Sequence, residues 1–450
     1  MRMTETVWTD EFLDKKRAEC DPEADEAVRS LTEREVTLAN ELMKQLILNE
    51  QPVPESLPPS LRRFLDDTDT LPSWAQKSLI LEGQRFFNRC APQMLLALFC
   101  ASLPSCYAAS KGVQVLHRTG KMGRDRVTRA RRRLSGSPRS SGSGGLLSTL
   151  ARDLLLPWME RFKGSRRSDS GGGLPTNLFR RILETAQMVV DVTAPDQGPG
   201  NPAGLEPGGR GIRTAQKVRL MHAVVRRLIA QEGRWSPALG QPINQEDMAA
   251  TMLAFSVVTL RALPKLGCDT SPRERQAYYH SWRVVGHIMG IQDELLPERY
   301  EDGEQLYDKI AQRHFHWSPE GAEMTGALLA LLDHVTPGNL FDDLGEVLIH
   351  HLLGDSTATA AGVPRERDLM STLVMGPLVG LGWVTDETND RNLFSARLCE
   401  LLGRKLMEGI VWAGRGRNRL PFRLPNQLRE TWGVQGWERA PEPEAEKATA

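Results

Sequence analysis

No stretch of this chain alternates apolar and polar residues for long enough to read as a strand, while one segment after another repeats at helical spacing. Apolar residues at i, i+3, i+4 and i+7 share one face of a helix, whereas a half-buried strand needs strict alternation. "NLFRRILETAQMVVDV" (177–192) lines up Leu178, Ile182, Thr185 and Val189. A helix over about 214–231 lines up Val218, His222, Val225 and Ile229. "NQEDMAATMLAFSVVTLRAL" (244–263) opens with Asn244 as N-cap and Asp247 at its third position, and Pro264 stops it. "SPRERQAYYHSWRVVGHIMG" (271–290) carries a capping box of Ser271 and Glu274 with Pro272 at the first helical position. Two more helices are expected over 319–334 and 339–353. The pattern predicts an all-α protein with one large helical domain.

Composition agrees with a soluble globular chain: 450 residues, 40% hydrophobic, 25% charged, with 57 basic and 57 acidic residues. A formal charge of zero calls for neither nucleic acid nor an anionic membrane as partner. The most apolar run, 91–109, contains Pro104 and reads as a buried helix rather than a transmembrane span. Six cysteines, at 20, 90, 100, 106, 268 and 399, include no CxxC pair and are expected to be reduced thiols. The N-terminal stretch shows no charged region followed by an apolar one, so the expected location is the cytoplasm.

Punctuation suggests three regions. Residues 1–70 form an N-terminal helical segment broken by the prolines of "QPVPESLPPS". Residues 71–435 form the main helical domain, and 436–450 a disordered tail. Within the main domain, about 121–175 is basic and then Ser/Gly-rich, which reads as a mobile insertion.

Histidine supplies the candidate chemistry. His222 points inward among aliphatic residues, with Arg219 three positions before it and Arg226 four after. Periodicity alone leaves two readings open. One is a packed core histidine. The other is an axial ligand to a haem iron, since an imidazole on an apolar wall suits a porphyrin face. In the second reading Arg219 and Arg226 would meet the haem propionates. His280 and His287 share a face of the capped helix, where Gly286 and Gly290 leave room for close approach. The pairs His314/His316 and His350/His351 lack acidic ligands at zinc spacing. No Gly-rich phosphate loop, GxSxG elbow or HExxH motif occurs.

"GIRTAQKVRLMHAVVRR", "PINQEDMAATMLAFS" and "YYHSWRVVGHIMG", with "RRILETAQMVVDV" before them and "LLGDSTATAAGVP" and "LPFRLPNQLRETWG" after, resemble the bacterial latex-clearing rubber oxygenases and the fungal MpaB-type oxygenases. The resemblance runs over roughly residues 70 to 435, the low-complexity insertion excepted. It implies an all-helical fold with a globin-like haem-binding core, a haem b cofactor (iron), and oxidation or cleavage of a carbon–carbon double bond in an isoprenoid or other apolar alkene by O₂. It places the proximal iron ligand at His222 and a distal Arg-x-x-x-Thr pair at Arg181 and Thr185. Where some rubber oxygenases have a distal lysine, this chain has Glu184, which could act as a base or organise water. The partners expected are the alkene and O₂, with an electron donor allowed for. A substrate inside the cell, such as a prenyl side chain or a terpenoid, is expected rather than rubber. The alternative is a non-catalytic haem or lipid-binding helical protein.

Overall fold

The computed structural model describes residues 8–29, 31, 57–120, 176–195, 203–335 and 344–364. The stretch 121–175 and the tail 436–450, both singled out from sequence, lie outside the described residues. Among the described residues the protein is helical, with no strand and one isolated bridge between Ala109 and Phe315.

Four helices open the chain: α1 (Asp10–Arg17), α2 (Pro22–Arg29), α3 (Pro59–Asp67) and α4 (Lys77–Arg89). The apolar run then forms α5 (Ala91–Ala108), and 89% of it is buried inside the protein. Pro104 explains its irregularity. A proline removes one backbone donor and its ring clashes with the carbonyl four residues back. The helix accommodates this with a π-turn over Leu98–Ser102. After α6 (Val113–Gly120) come α7 (Thr176–Val192) and α8 (Arg210–Glu232), the latter closed by Gly233 in the left-handed conformation that an αL cap requires.

The next helix, α9, starts as Gln245–Leu253, loosens into a second π-turn over Ala254–Val258 and ends as Thr259–Ala262. Its Asn244 side chain accepts from the Asp247 amide at 2.9 Å, as the sequence predicts. Helix α10 (Pro272–Ile288) has both halves of the expected capping box. Helices α11 (Tyr300–His314), α12 (Pro319–Val335), α13 (Leu344–Leu353) and α14 (Asp355–Ala360) complete the described fold.

Packing does not respect a boundary near residue 70. Trp8 and Leu13 belong to the same hydrophobic core as Tyr278 and Trp282 of α10. A second cluster joins α2 and α3 to Leu220, Ala223 and Val224, so α8 is packed on two sides. One expectation is overturned outright: Cys90 and Cys268 form a disulfide, while Cys20, Cys100 and Cys106 are free. The bridge ties the end of α4 to the loop before α10. CxxC spacing is not a precondition for pairing, because only tertiary proximity is needed, and their Cα atoms stand 6.6 Å apart.

Candidate functional site

Helices α7 to α10 surround a cavity with about 350 Å³ of room for the centre of a water-sized molecule. Helix α8 offers it Val218, Met221, His222 and Val225, three of which form the apolar face read from the sequence. Ile229, the fourth residue of that face, is buried but does not line it. Helix α7 contributes Ile182, Glu184, Thr185 and Met188, α9 contributes Met248, Met252 and Phe255, and α10 contributes Trp282, Val285 and Gly286. The Phe255 and Trp282 rings stack with centroids 4.9 Å apart. Gly286 stands where a side chain would crowd the wall: an added Cβ would come within 2.8 Å of Leu296 Cδ2.

The predicted residues divide sharply. His222, Thr185 and Glu184 line this one cavity. Arg181 is on α7 four residues before Thr185, but its side chain lies outside what the structure describes. Arg219 and Arg226 do not line the cavity, which overturns their expected place beside a haem edge. They sit on the flank of α8 next to His222 and reach the N-terminal acidic residues. Arg219 Nε donates to Asp21 Oδ2 at 2.6 Å and its Nη2 to Glu23 at 2.6 Å, while the guanidinium lies 5.2 Å from the Phe64 ring. Burial works against its charge, but the hydrogen bonds and the field of Asp21 and Glu23 outweigh that and raise its pKa. Arg226 Nε donates to Asp25 at 2.8 Å, and its Nη1 to the Ile243 carbonyl at 3.4 Å. Spacing of three and four residues put both arginines near His222 in projection. It could not tell that α8 has a second buried flank.

The competing histidines are accounted for elsewhere. His280 accepts a hydrogen bond at Nε2 from the Gln76 amide (2.9 Å) and meets Trp74 edge-on. Burial, helped by Arg283, pushes it down to about 4, so it is a neutral core histidine. His287 faces Asp293 at 3.3 Å. His314 Nε2 donates to Glu246 at 2.9 Å. No group of three or more His, Cys, Asp or Glu among the described residues is arranged to hold a metal ion directly. Gly290 leaves no flat face for a ligand. It follows the end of α10 with φ +85°, packed against Asp21 and Arg219.

Sequence reasoning missed two ionisable features. Asp247, read only as a capping partner, also lines the cavity. Its carboxylate accepts from Arg17 Nη1 and from Asn244 Nδ2, each at 2.8 Å. Beside it Glu246, fully buried, accepts from Arg17 (3.2 Å), Arg313 (3.0 Å) and His314. Burial opposes its ionisation, but the His314 bond and the two arginines prevail and hold the carboxyl below its usual range. The acidic pair in "NQEDM" was the only available signal, and nothing local names its partners. The second feature joins α7 to α8. Asp191 accepts from Thr214 Oγ1 at 2.7 Å and from Gln187 at 2.9 Å, and burial raises it to about 6. Lys217 is pushed down to about 7 by burial, against the pull of Asp191.

A haem group fits the donor set. A single imidazole stands on a wall that is mainly aliphatic, methionine and aromatic, with Glu184, Thr185 and Asp247 among its few polar groups, which gives one nitrogen ligand and apolar faces for a porphyrin. At the rim Ile243 has φ +53°, a strained value for a β-branched residue. Its carbonyl is the one that Arg226 holds.

Residues 132–382 match the family model described as ER-bound oxygenase mpaB/B′/rubber oxygenase, catalytic domain. The rubber oxygenase of Streptomyces sp. (strain K30) is 26% identical over 322 residues, which cover 71% of this chain and 64% of that protein. The match thus spans a little under two thirds of the relative's length. The solved structure of latex clearing protein LCP in the closed state superposes with a TM-score of 0.60 at 22% identity, covering 91% of this chain and 95% of that one. This last likeness establishes the shared fold.

Proposed function

We propose, from the fact that the chain belongs to the mpaB and rubber oxygenase family, that its cavity is the active site of a haem b-dependent oxygenase. The substrate class is an isoprenoid or other apolar alkene, oxidised or cleaved at a carbon–carbon double bond with O₂. One observation carries the reading: of the histidines whose side chains are described, His222 is the one that lines this apolar cavity. The rubber oxygenase that the chain is similar to supports the substrate class.

Haem, when bound, supplies the redox chemistry with O₂. The protein's own groups do the rest. His222 would hold the iron from α8. Six methionines line the cavity: Met188, Met221, Met248, Met252, Met289 and Met324. Unbranched thioether side chains re-pack around irregular shapes, so this wall suits a flexible hydrocarbon chain. Apolar walls also exclude water and leave a few polar groups to orient the reacting part. Thr185 Oγ1 would donate a hydrogen bond toward the reacting oxygen, and the family resemblance assigns the same task to Arg181, one turn earlier in the sequence of α7. Glu184 can hold a proton on its carboxylate beside them. Cleavage of a double bond by O₂ into two carbonyl groups balances without an external electron donor, whereas a mono-oxygenation would require one.

Purified protein is expected to show a Soret band, and His222→Ala is expected to lose it. A pyridine haemochrome assay showing equal haem in wild type and His222→Ala would move the ligand elsewhere and overturn the site. Conversion of a short isoprenoid oligomer then separates an enzyme from a carrier.

A further inference from the structure

A small chamber adjoins the cavity on the side of Thr185. It has about 20 Å³ of room for the centre of a water-sized molecule. Leu103, Ile182, Thr185 and Phe255 line both spaces and so form the partition between them. The rest of the chamber is built from α4, α5 and α7, with Phe87, Ala91, Leu95 and Ala186 among its walls. Both π-turns contribute to its wall. Leu98, Phe99 and Phe255 belong to those five-residue turns, whose widened backbone changes how their side chains meet α7. Such π-bulges occur frequently at functional sites.

Size and chemistry together select the occupant. The chamber exceeds the roughly 10–15 Å³ that one water needs, but a buried water also needs two to four polar partners. Among the described residues Thr185 is the only polar side chain in the wall. A wall with so few polar partners favours small apolar molecules over water. An isoprenoid unit is too large for it. We infer that the chamber is a docking site for molecular oxygen, held one partition away from the alkene. The inference deepens the oxygenase reading and rests on O₂ being the co-substrate.

Crystals of the full chain pressurised with xenon, an apolar probe located by its anomalous scattering, test the site directly. A xenon peak between Ala91, Thr185 and Ala186 is expected, and its absence overturns the proposal. Ala186→Val should fill the chamber, remove the peak and raise the KM for O₂ several-fold, with haem content and the KM for the alkene unchanged. Ala91→Val fills it from the α5 side and serves if the first variant does not fold. Loss of the xenon peak with an unchanged KM for O₂ overturns the role assigned to oxygen. The xenon measurement needs neither haem nor turnover, so a protein that binds no haem defeats the oxygenase reading while the chamber is still decided by its own peak.

Discussion

Arg219 and Arg226 show how a residue's role is set by what stands opposite it. Arg219 is 7% exposed and Asp21 2%, so the pair is a buried one. Removing one partner of a buried ion pair leaves the other charge uncompensated, at a cost of about 3–5 kcal/mol. Arg219→Ala is therefore expected to lower thermal stability strongly and to free α2 for proteolysis, while the haem bound per folded molecule stays at the wild-type level. Equal stability of wild type and variant in denaturant melts would contradict this account. His280 gives a prediction in pH. Its folded pKa, about 4, lies below the ordinary 6.5, so the unfolded chain binds the extra proton between those values. The stability it confers is complete above pH 6.5 and drains away as the pH falls towards 4. Melting temperatures followed across that window should fall more steeply in wild type than in His280→Gln.

Helix α7 is the element whose register matters most for chemistry. Its residues Ile182, Glu184, Thr185 and Met188 reach the main cavity, and Ala186, Val189 and Val190 reach the chamber beside it. This one helix thus carries Glu184 and Thr185 and, with Leu103 and Phe255, forms the partition. Fixed donors aimed at developing charge in a dry site are each worth about 10²–10³ in turnover. Thr185→Val and Arg181→Ala should keep the absorption spectrum and lose turnover on that scale, measured per bound haem. If Arg181→Ala instead loses stability and haem together while activity per haem holds, Arg181 serves packing. Glu184→Gln, which keeps shape and removes charge, reports whether a carboxylate is needed at the cavity wall through the pH profile of kcat. Helix α8 makes the complementary point. It carries His222 into the cavity and, on the adjoining flank, is braced by the acidic residues of α2.

For the whole molecule, the Cys90–Cys268 bridge closes a loop of 178 residues that includes α5 to α9. Disulfides restrict the unfolded chain and commonly contribute about 2–4 kcal/mol. They persist where the surroundings are oxidising. Alkylation of the denatured, unreduced protein should leave Cys90 and Cys268 unlabelled and label Cys20, Cys100 and Cys106. Labelling of all five would remove the bridge. The sequence by itself determined the helices of this protein, their caps at Asn244 and Ser271, and the inward face of Val218, His222 and Val225. Each of these rests on contacts within a few residues, where spacing maps directly onto a helix surface. It also carried the ordered set of segments that marks the family. Tertiary structure alone decided the partners. Arg219 meets Asp21 and Glu23 from almost 200 residues away. Cys90 meets Cys268, and Glu246 gathers Arg17, Arg313 and His314. Helical spacing tells which residues share a face but not which helix that face will meet. An ion pair, a disulfide or a cavity wall is a property of two faces together.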